Sequence, residues 1–138
     1  MQETVKLIVE LPRIPNIELV AIEGLDRLAA HMGIAEEKIA EARILVTEAV
    51  INALEHAGEQ NPPVKVEYTM SREEIVILVR DYGSGFDPST VPEPNVGGAK
   101  NLPQQRGWGL KLMKSMSDDF RLESTQDGTK ITILKKLV

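Results

Sequence analysis

Glu48-Ala49-Val50-Ile51-Asn52-Ala53-Leu54-Glu55-His56 closes a stretch of helical character that begins near Ala35. Ile39, Ala42, Leu45, Val46, Ala49, Val50, Ala53, Leu54 and Ala57 cover more than one face of it, which predicts a largely buried helix. Residues four apart turn through ~400°, so Glu48 and Asn52 share a face, ~6 Å apart along the axis and ~40° apart around it. A carboxylate and an amide on such a helix need partners, since an unpaired buried polar group costs about 1–3 kcal/mol and a buried charge more. Read alone, the pair fits a solvated stripe or a cap on a neighbouring backbone slightly better than it fits a site. His56 reads as a residue that satisfies the dipole at the helix end.

Outward from this helix the pattern alternates between strands and helices. Val5, Leu7, Val9 and Leu11 have the period of a half-buried strand, which Pro12 and Pro15 stop. Asn16 is placed to cap a first helix whose apolar positions run from Ile17 through Val20, Ala21, Leu25 and Leu28 to Met32, with Gly33 closing it. After turn chemistry at Gly58 to Pro63, Val64, Val66, Tyr68 and Met70 alternate as a second strand. Ser71-Arg72-Glu73 connects it to Ile75–Val79, an unbroken apolar run that predicts a central strand covered on both faces and ending at Arg80-Asp81. Residues 87–105 contain Pro88, Pro92, Pro94 and Pro103 with Gly97 and Gly98 and show no period. A structureless loop of that length inside a compact domain is usually a functional lid or disordered. A short third helix is predicted after Gly109, and strands at 120–124 and 129–135 are joined by Gln126-Asp127-Gly128.

Hairpins alternating with helices give an α+β class: a two-layer α/β sandwich, its sheet mixed and mostly antiparallel, with helices on one face. The 138 residues suit one domain spanning 1–138, with one core and a lid at about 87–106. With 42% hydrophobic and 27% charged residues, and no apolar run near the ~20 residues of a spanning helix, a membrane span is excluded. The first residues carry no basic-then-apolar secretion signal, so a cytoplasmic location is expected. The absence of cysteine removes disulfides, thiol catalysis and thiolate zinc sites, and two histidines leave oxygen as the main metal ligand. A formal charge of -5 is the wrong sign for a protein whose main activity is binding a phosphate backbone, so no nucleic-acid partner is expected.

Three further stretches have the residue types of a site. Asp81-Tyr82-Gly83-Ser84-Gly85-Phe86-Asp87 follows the central strand directly. An aspartate at a strand end can accept a directional hydrogen bond at a pocket floor, and glycines two apart let a ligand approach the backbone. Pro88 stands where a dinucleotide fingerprint has its third glycine, and Gly83 and Gly85 occupy positions where a calcium loop needs side-chain oxygens. Arg106-Gly107-Trp108-Gly109-Leu110 reads equally as an anion site at a helix opening and as a glycine hinge before a core helix. Gly128-Thr129 alone is an ordinary hairpin turn.

In this order the four stretches resemble the ATP-binding (Bergerat) fold shared by DNA gyrase, the Hsp90 chaperones and bacterial histidine kinases. Over nearly the whole chain they are most similar to bacterial anti-sigma factor serine/threonine kinases of the RsbW type. The resemblance implies an ATP-dependent kinase that phosphorylates an anti-anti-sigma STAS-domain partner, sequesters a sigma factor, and forms homodimers. It implies that Asp81 accepts from the exocyclic amine of adenine with support from Thr129, and that Gly83 and Gly85 let base and ribose lie against the backbone. It further implies that Asn52 gives one oxygen to magnesium, that Gly107 and Gly109, beside Leu110, cradle the phosphates with Arg106 at the γ-phosphate, and that Glu48 is the general base. The competing expectation is a non-catalytic switch in which ATP only sets partner affinity. A detached histidine-kinase domain is disfavoured, because His31 and His56 lie at helix ends and offer no phosphoacceptor site.

Overall fold

The computed structural model runs β1 (Val5–Leu11), α1 (Glu18–Met32), α2 (Glu36–His56), β2 (Val64–Met70), β3 (Glu74–Asp81), α3 (Leu102–Met116), β4 (Asp119–Thr125) and β5 (Gly128–Lys136). The structure describes residues 3–58, 61–83 and 102–138, with the backbone course alone for 102–108. The strands form one sheet in the order β1-β2-β3-β5-β4, and all four pairings are antiparallel. The last strand thus enters between β3 and β4, which sets Thr129 opposite Asp81 and Ser124 opposite Thr129.

The period-two pattern explains why the helices lie on one side. Val64, Val66, Tyr68 and Met70 of β2, Ile75, Ile77 and Val79 of β3, and Ile131 and Ile133 of β5 are all buried. They meet the apolar faces of α1 and α2, and each fully buried aliphatic side chain is worth about 1.5–3 kcal/mol relative to exposure. Tyr68 satisfies its buried hydroxyl by donating to the Ala21 carbonyl at 2.7 Å. Arg43 of α2 ties the helical layer together, bonding Asp26 of α1 at 2.7 Å and both carboxylate oxygens of Glu36. The expected two-layer α+β sandwich is therefore the observed one, except that its sheet is antiparallel throughout and not mixed, because β5 runs back between β3 and β4 against both.

Three local expectations are corrected. The apolar run of β3 is buried on one face only: Ile75, Ile77 and Val79 point inward, while Val76 and Leu78 are half-buried on the open face. Those two gain shelter from neighbours across the sheet, with Val76 facing Thr69 and Leu134, and Leu78 facing Glu67 and Thr132. Asn16 does not cap α1. It sits at φ +63°, a conformation that asparagine tolerates better than most residues, and Ile17 occupies the cap position with no side-chain hydrogen bond. Gly33, by contrast, closes α1 as expected, at φ +69° with its N–H on the Ala29 and Ala30 carbonyls.

The third correction bears on the site. α3 opens at Leu102, so Pro103 lies in its first turn instead of breaking it. Proline is tolerated there because the first helical N–H groups have no intrahelical acceptor. Gly107 and Gly109 consequently lie inside α3 and do not form its opening.

Candidate functional site

The exit of β3, the entry of β5 and the last turns of α2 meet at one end of the sandwich. Asp81 ends β3 and is only 1% exposed. Its Oδ1 accepts from the Gly83 N–H at 3.0 Å and from the Thr129 N–H at 3.3 Å. Burial pushes the Asp81 carboxyl up, and these two hydrogen bonds, with the charges of His56 and Arg80, oppose the rise. A carboxylate fixed through one oxygen presents the other in a set direction.

Two glycines permit this arrangement. A side chain at Gly83 would overlap the carbonyl oxygen of His56, so the chain leaving β3 passes backbone against backbone under the end of α2. Gly128 has φ +131°, and a side chain there would overlap the Asp81 carbonyl. The glycine of the β4–β5 turn thus serves the floor of the site as well as the turn. Gly128→Ala is expected to destabilise the protein by about 2–4 kcal/mol, from the strained φ and the overlap together. A urea midpoint equal to that of wild type would contradict this.

Thr129 shares a 2.9 Å hydrogen bond between its hydroxyl and Ser124 Oγ. Ser124 was not singled out in the sequence. Its signal was register: counting back across the Gln126-Asp127 turn places it opposite Thr129.

On α2, Glu48 and Asn52 lie one turn apart as predicted. Asn52 is 6% exposed, and its Nδ2 is the only buried side-chain nitrogen or oxygen without a hydrogen-bond partner among the described residues. Such an orphan is unusual enough to need a reason. The two ends of an amide are distinguished by their partners, so the unpartnered edge is equally a place for its oxygen. The edge fits a ligand that asks one oxygen of the protein, which is how magnesium binds when phosphates and water supply the rest. No group of three or more His, Asp or Glu side chains among the described residues offers a metal cage.

Glu48 is half-buried, with no hydrogen-bond or salt-bridge partner among the described residues. Burial, and secondarily the charge of Glu55, raises its carboxyl above the usual carboxylate value. It lies against α3: a Cβ built on Gly109 would stand 3.0 Å from Glu48 Oε2. Gly109 therefore gives the carboxylate room between two helices. Leu110 next to it is buried in the core. Arg106 and Gly107 lie on α3, where the backbone alone is described, and Gly85 lies outside the described residues. The structure thus gathers Asp81, Gly83 and Thr129 at one point and sets Glu48 against Gly109 at another, with Asn52 one turn from Glu48 on α2.

Comparison with known proteins bears on the fold and the family. Residues 16–135 match the family model of the histidine kinase-like ATPase domain. The chain is 29% identical over 123 residues to serine-protein kinase RsbW of Listeria monocytogenes, covering 85% of this chain and 78% of that protein. It is 31% identical over 105 residues to the anti-sigma F factor of Clostridium novyi, covering 73% of each. Among solved structures, that of the RsbU and RsbW domains of Rv1364c from Mycobacterium tuberculosis superposes with a TM-score of 0.69 at 18% identity. The match covers 95% of this chain but spans about a third (32%) of that longer one, and it speaks for the fold. With the family model covering most of its length and an RsbW kinase and an anti-sigma F factor among its relatives, the chain belongs to the histidine kinase-like ATPase family, as a member of the RsbW type.

Proposed function

We infer that this protein is an ATP-dependent serine/threonine protein kinase that phosphorylates a partner protein and acts as an anti-sigma factor. The observation that carries the reading is the pair on α2: a half-buried carboxylate without a described partner, one turn from an orphaned buried amide. A site that only binds nucleotide needs the amide and Asp81. It has no use for Glu48, which favours the enzyme over the switch.

Asp81, held through Oδ1, accepts from the exocyclic amine of adenine with its second oxygen, and the Thr129 hydroxyl supports that contact. Guanine would set a carbonyl against the carboxylate, acceptor to acceptor, so ATP is preferred to GTP. Gly83 and Gly85 let the base and ribose lie on the backbone. Asn52 would hold magnesium through its single oxygen, and the ion, when bound, would supply neutralisation of phosphate charge. Gly109, inside α3 and against Glu48, leaves a stretch of helix bare of side chains beside the phosphates, Gly107 lies about 200° further round the same helix, and Arg106 is assigned to the γ-phosphate.

Glu48 takes the proton of the acceptor hydroxyl as that oxygen bonds to the γ-phosphorus and the bond to the β–γ bridging oxygen breaks, leaving ADP. Little covalent work is asked of the protein beyond this, since phosphoryl transfer is governed by positioning and charge neutralisation. The acceptor is a small anti-anti-sigma STAS-domain protein, the sequestered partner is a sigma factor, and the working form is a cytoplasmic homodimer. No helix among the described residues is long and apolar enough to cross a membrane.

The test is incubation with labelled ATP, magnesium and the STAS-domain protein encoded nearest to this one. Label on the partner is the expected result. Tight nucleotide binding with no label transferred would replace the kinase with the switch.

A further inference from the structure

Asp81, Thr129 and Ser124 stand in register on β3, β5 and β4, adjacent strands of a sheet whose neighbours lie ~4.8 Å apart. Side chains alternate along a strand, and each of the three continues a face that is otherwise apolar. Asp81 follows Ile75, Ile77 and Val79, Thr129 precedes Ile131 and Ile133, and Ser124 follows Phe120 and Leu122, which pack against the core. A row of polar groups therefore crosses the core-facing side of the sheet where it reaches the candidate site. Asp81 and Thr129 are two of the three buried polar residues among those described, the third being Asn52. Both have places in the nucleotide site inferred above, whereas Ser124, half-buried beside them, has none.

We propose that Ser124 is a positioning residue for base selectivity: its hydroxyl anchors that of Thr129, and through it sharpens the discrimination between adenine and a 6-oxopurine. The proposal rests on the nucleotide site inferred above and adds to it the residue that holds one of its contacts. The Thr129 N–H is bonded to Asp81 Oδ1 at 3.3 Å, and a β-branched side chain has few rotamers, so the fold sets where the Thr129 oxygen lies. It does not by itself set which way the hydroxyl turns. A hydroxyl is both donor and acceptor, and one that rotates freely serves a base edge and its reverse almost equally well. The 2.9 Å hydrogen bond between Thr129 Oγ1 and Ser124 Oγ anchors that rotation, whichever of the two oxygens donates. Ser124 lies on one side of Thr129 and Asp81 on the other, so the unspent capacity of the Thr129 hydroxyl is available on the side where Asp81 meets the base. Adenine presents there a ring acceptor beside its amine, and a 6-oxopurine exchanges donor and acceptor at both atoms. A lone Thr129 hydroxyl follows that exchange by turning alone, directly on the base or through a water. Bonded to Ser124, it follows only if the two hydroxyls reorganise together, and a contact set before the ligand arrives favours the base it already fits.

The experiment measures by calorimetry, with magnesium present, the affinity of the full chain for ATP and for inosine triphosphate, which carries a carbonyl in place of the amine. β4 is an edge strand and Ser124 is half-buried, so substitutions at 124 do not open the core. Ser124→Ala is expected to lower the ratio of the two affinities by about three- to tenfold, as the loss of one neutral hydrogen bond allows. Ser124→Thr, which keeps the hydroxyl, is expected to hold the wild-type ratio. In a Thr129→Val background, where no hydroxyl remains to be anchored, Ser124→Ala is expected to leave the ratio unchanged. A wild-type ratio in Ser124→Ala overturns the proposal, including one reached by equal weakening of both nucleotides, which is what a merely structural residue gives. A change of ratio that persists in the Thr129→Val background also overturns it, because Ser124 then acts by another route. In each of these cases the nucleotide site stands. If wild type binds neither nucleotide, or binds both alike, the adenine site itself fails and the role of Ser124 with it.

Discussion

Glu48→Gln is expected to leave nucleotide affinity within about twofold of wild type while slowing phosphoryl transfer by about 10²–10⁴-fold, the usual worth of a general base. Glutamine keeps the shape of the side chain, so the space left by Gly109 still accommodates it and α3 keeps its seat on α2. What is lost is the ability to take a proton. The pH dependence separates this from a packing effect. Because burial and then Glu55 raise the Glu48 carboxyl, the base stays protonated to a higher pH than an ordinary glutamate, and wild-type transfer at saturating nucleotide should rise with pH through that elevated value before levelling. The same shift has a stability sign: the folded state holds the Glu48 proton more tightly than the unfolded chain, so its contribution to stability declines as pH climbs from the unfolded value, near 4.5, through the raised folded one. In Glu48→Gln both the acidic limb of the rate profile and this stability term should vanish. Single-turnover transfer measured across pH decides the matter; a variant with the wild-type rate and the wild-type limb would remove Glu48 from the chemistry.

The parts of this molecule that a reader of the sequence can place are those fixed by neighbours along the chain. Val64–Met70 and Val5–Leu11 were legible to the residue because alternation has a strict period and turn residues bound it. Gly33 was legible because a helix stop needs a left-handed residue. The failures share a different cause. Val76 and Leu78 look like residues covered on both faces, but their shelter comes from cross-strand neighbours far away in sequence. Pro103 reads as a breaker unless the start of α3 is already known to lie at Leu102. Gly128 reads as a turn residue, and only the register Asp81 to Thr129 reveals that the Asp81 backbone lies against it. Ser124 is silent for the same reason. On α2 the outcome is intermediate: helical periodicity sets Glu48 and Asn52 on one face, whereas the placing of Gly109 beside that carboxylate depends on how two helices pack.

Asn52 tests the whole arrangement most sharply, because function and stability pull in opposite directions there. Its amide nitrogen is buried without a partner, so in the absence of ligand the residue costs the fold something. Asn52→Ala removes that orphan and puts the best helix former in the middle of α2, gaining some tenths of a kcal/mol in propensity against a small loss of packing. The melting temperature of the variant without nucleotide is therefore expected to equal or exceed that of wild type. Its binding of ATP in the presence of magnesium should weaken by more than about 10²-fold, since even residues one shell removed from a metal are commonly worth 10–100-fold. With EDTA present the two proteins should bind ATP with similar, weak affinity, because the adenine contacts proposed for Asp81 and Thr129 are untouched by the substitution. Titration calorimetry with and without magnesium, paired with thermal melts of the same preparations, reads all three quantities. A residue kept for packing would show the reverse pattern, a lower melting temperature with nucleotide affinity untouched. That result would send the ion elsewhere and leave the buried amide without a function. A residue retained against the interest of the fold, and needed only when nucleotide and metal arrive together, behaves as a ligand.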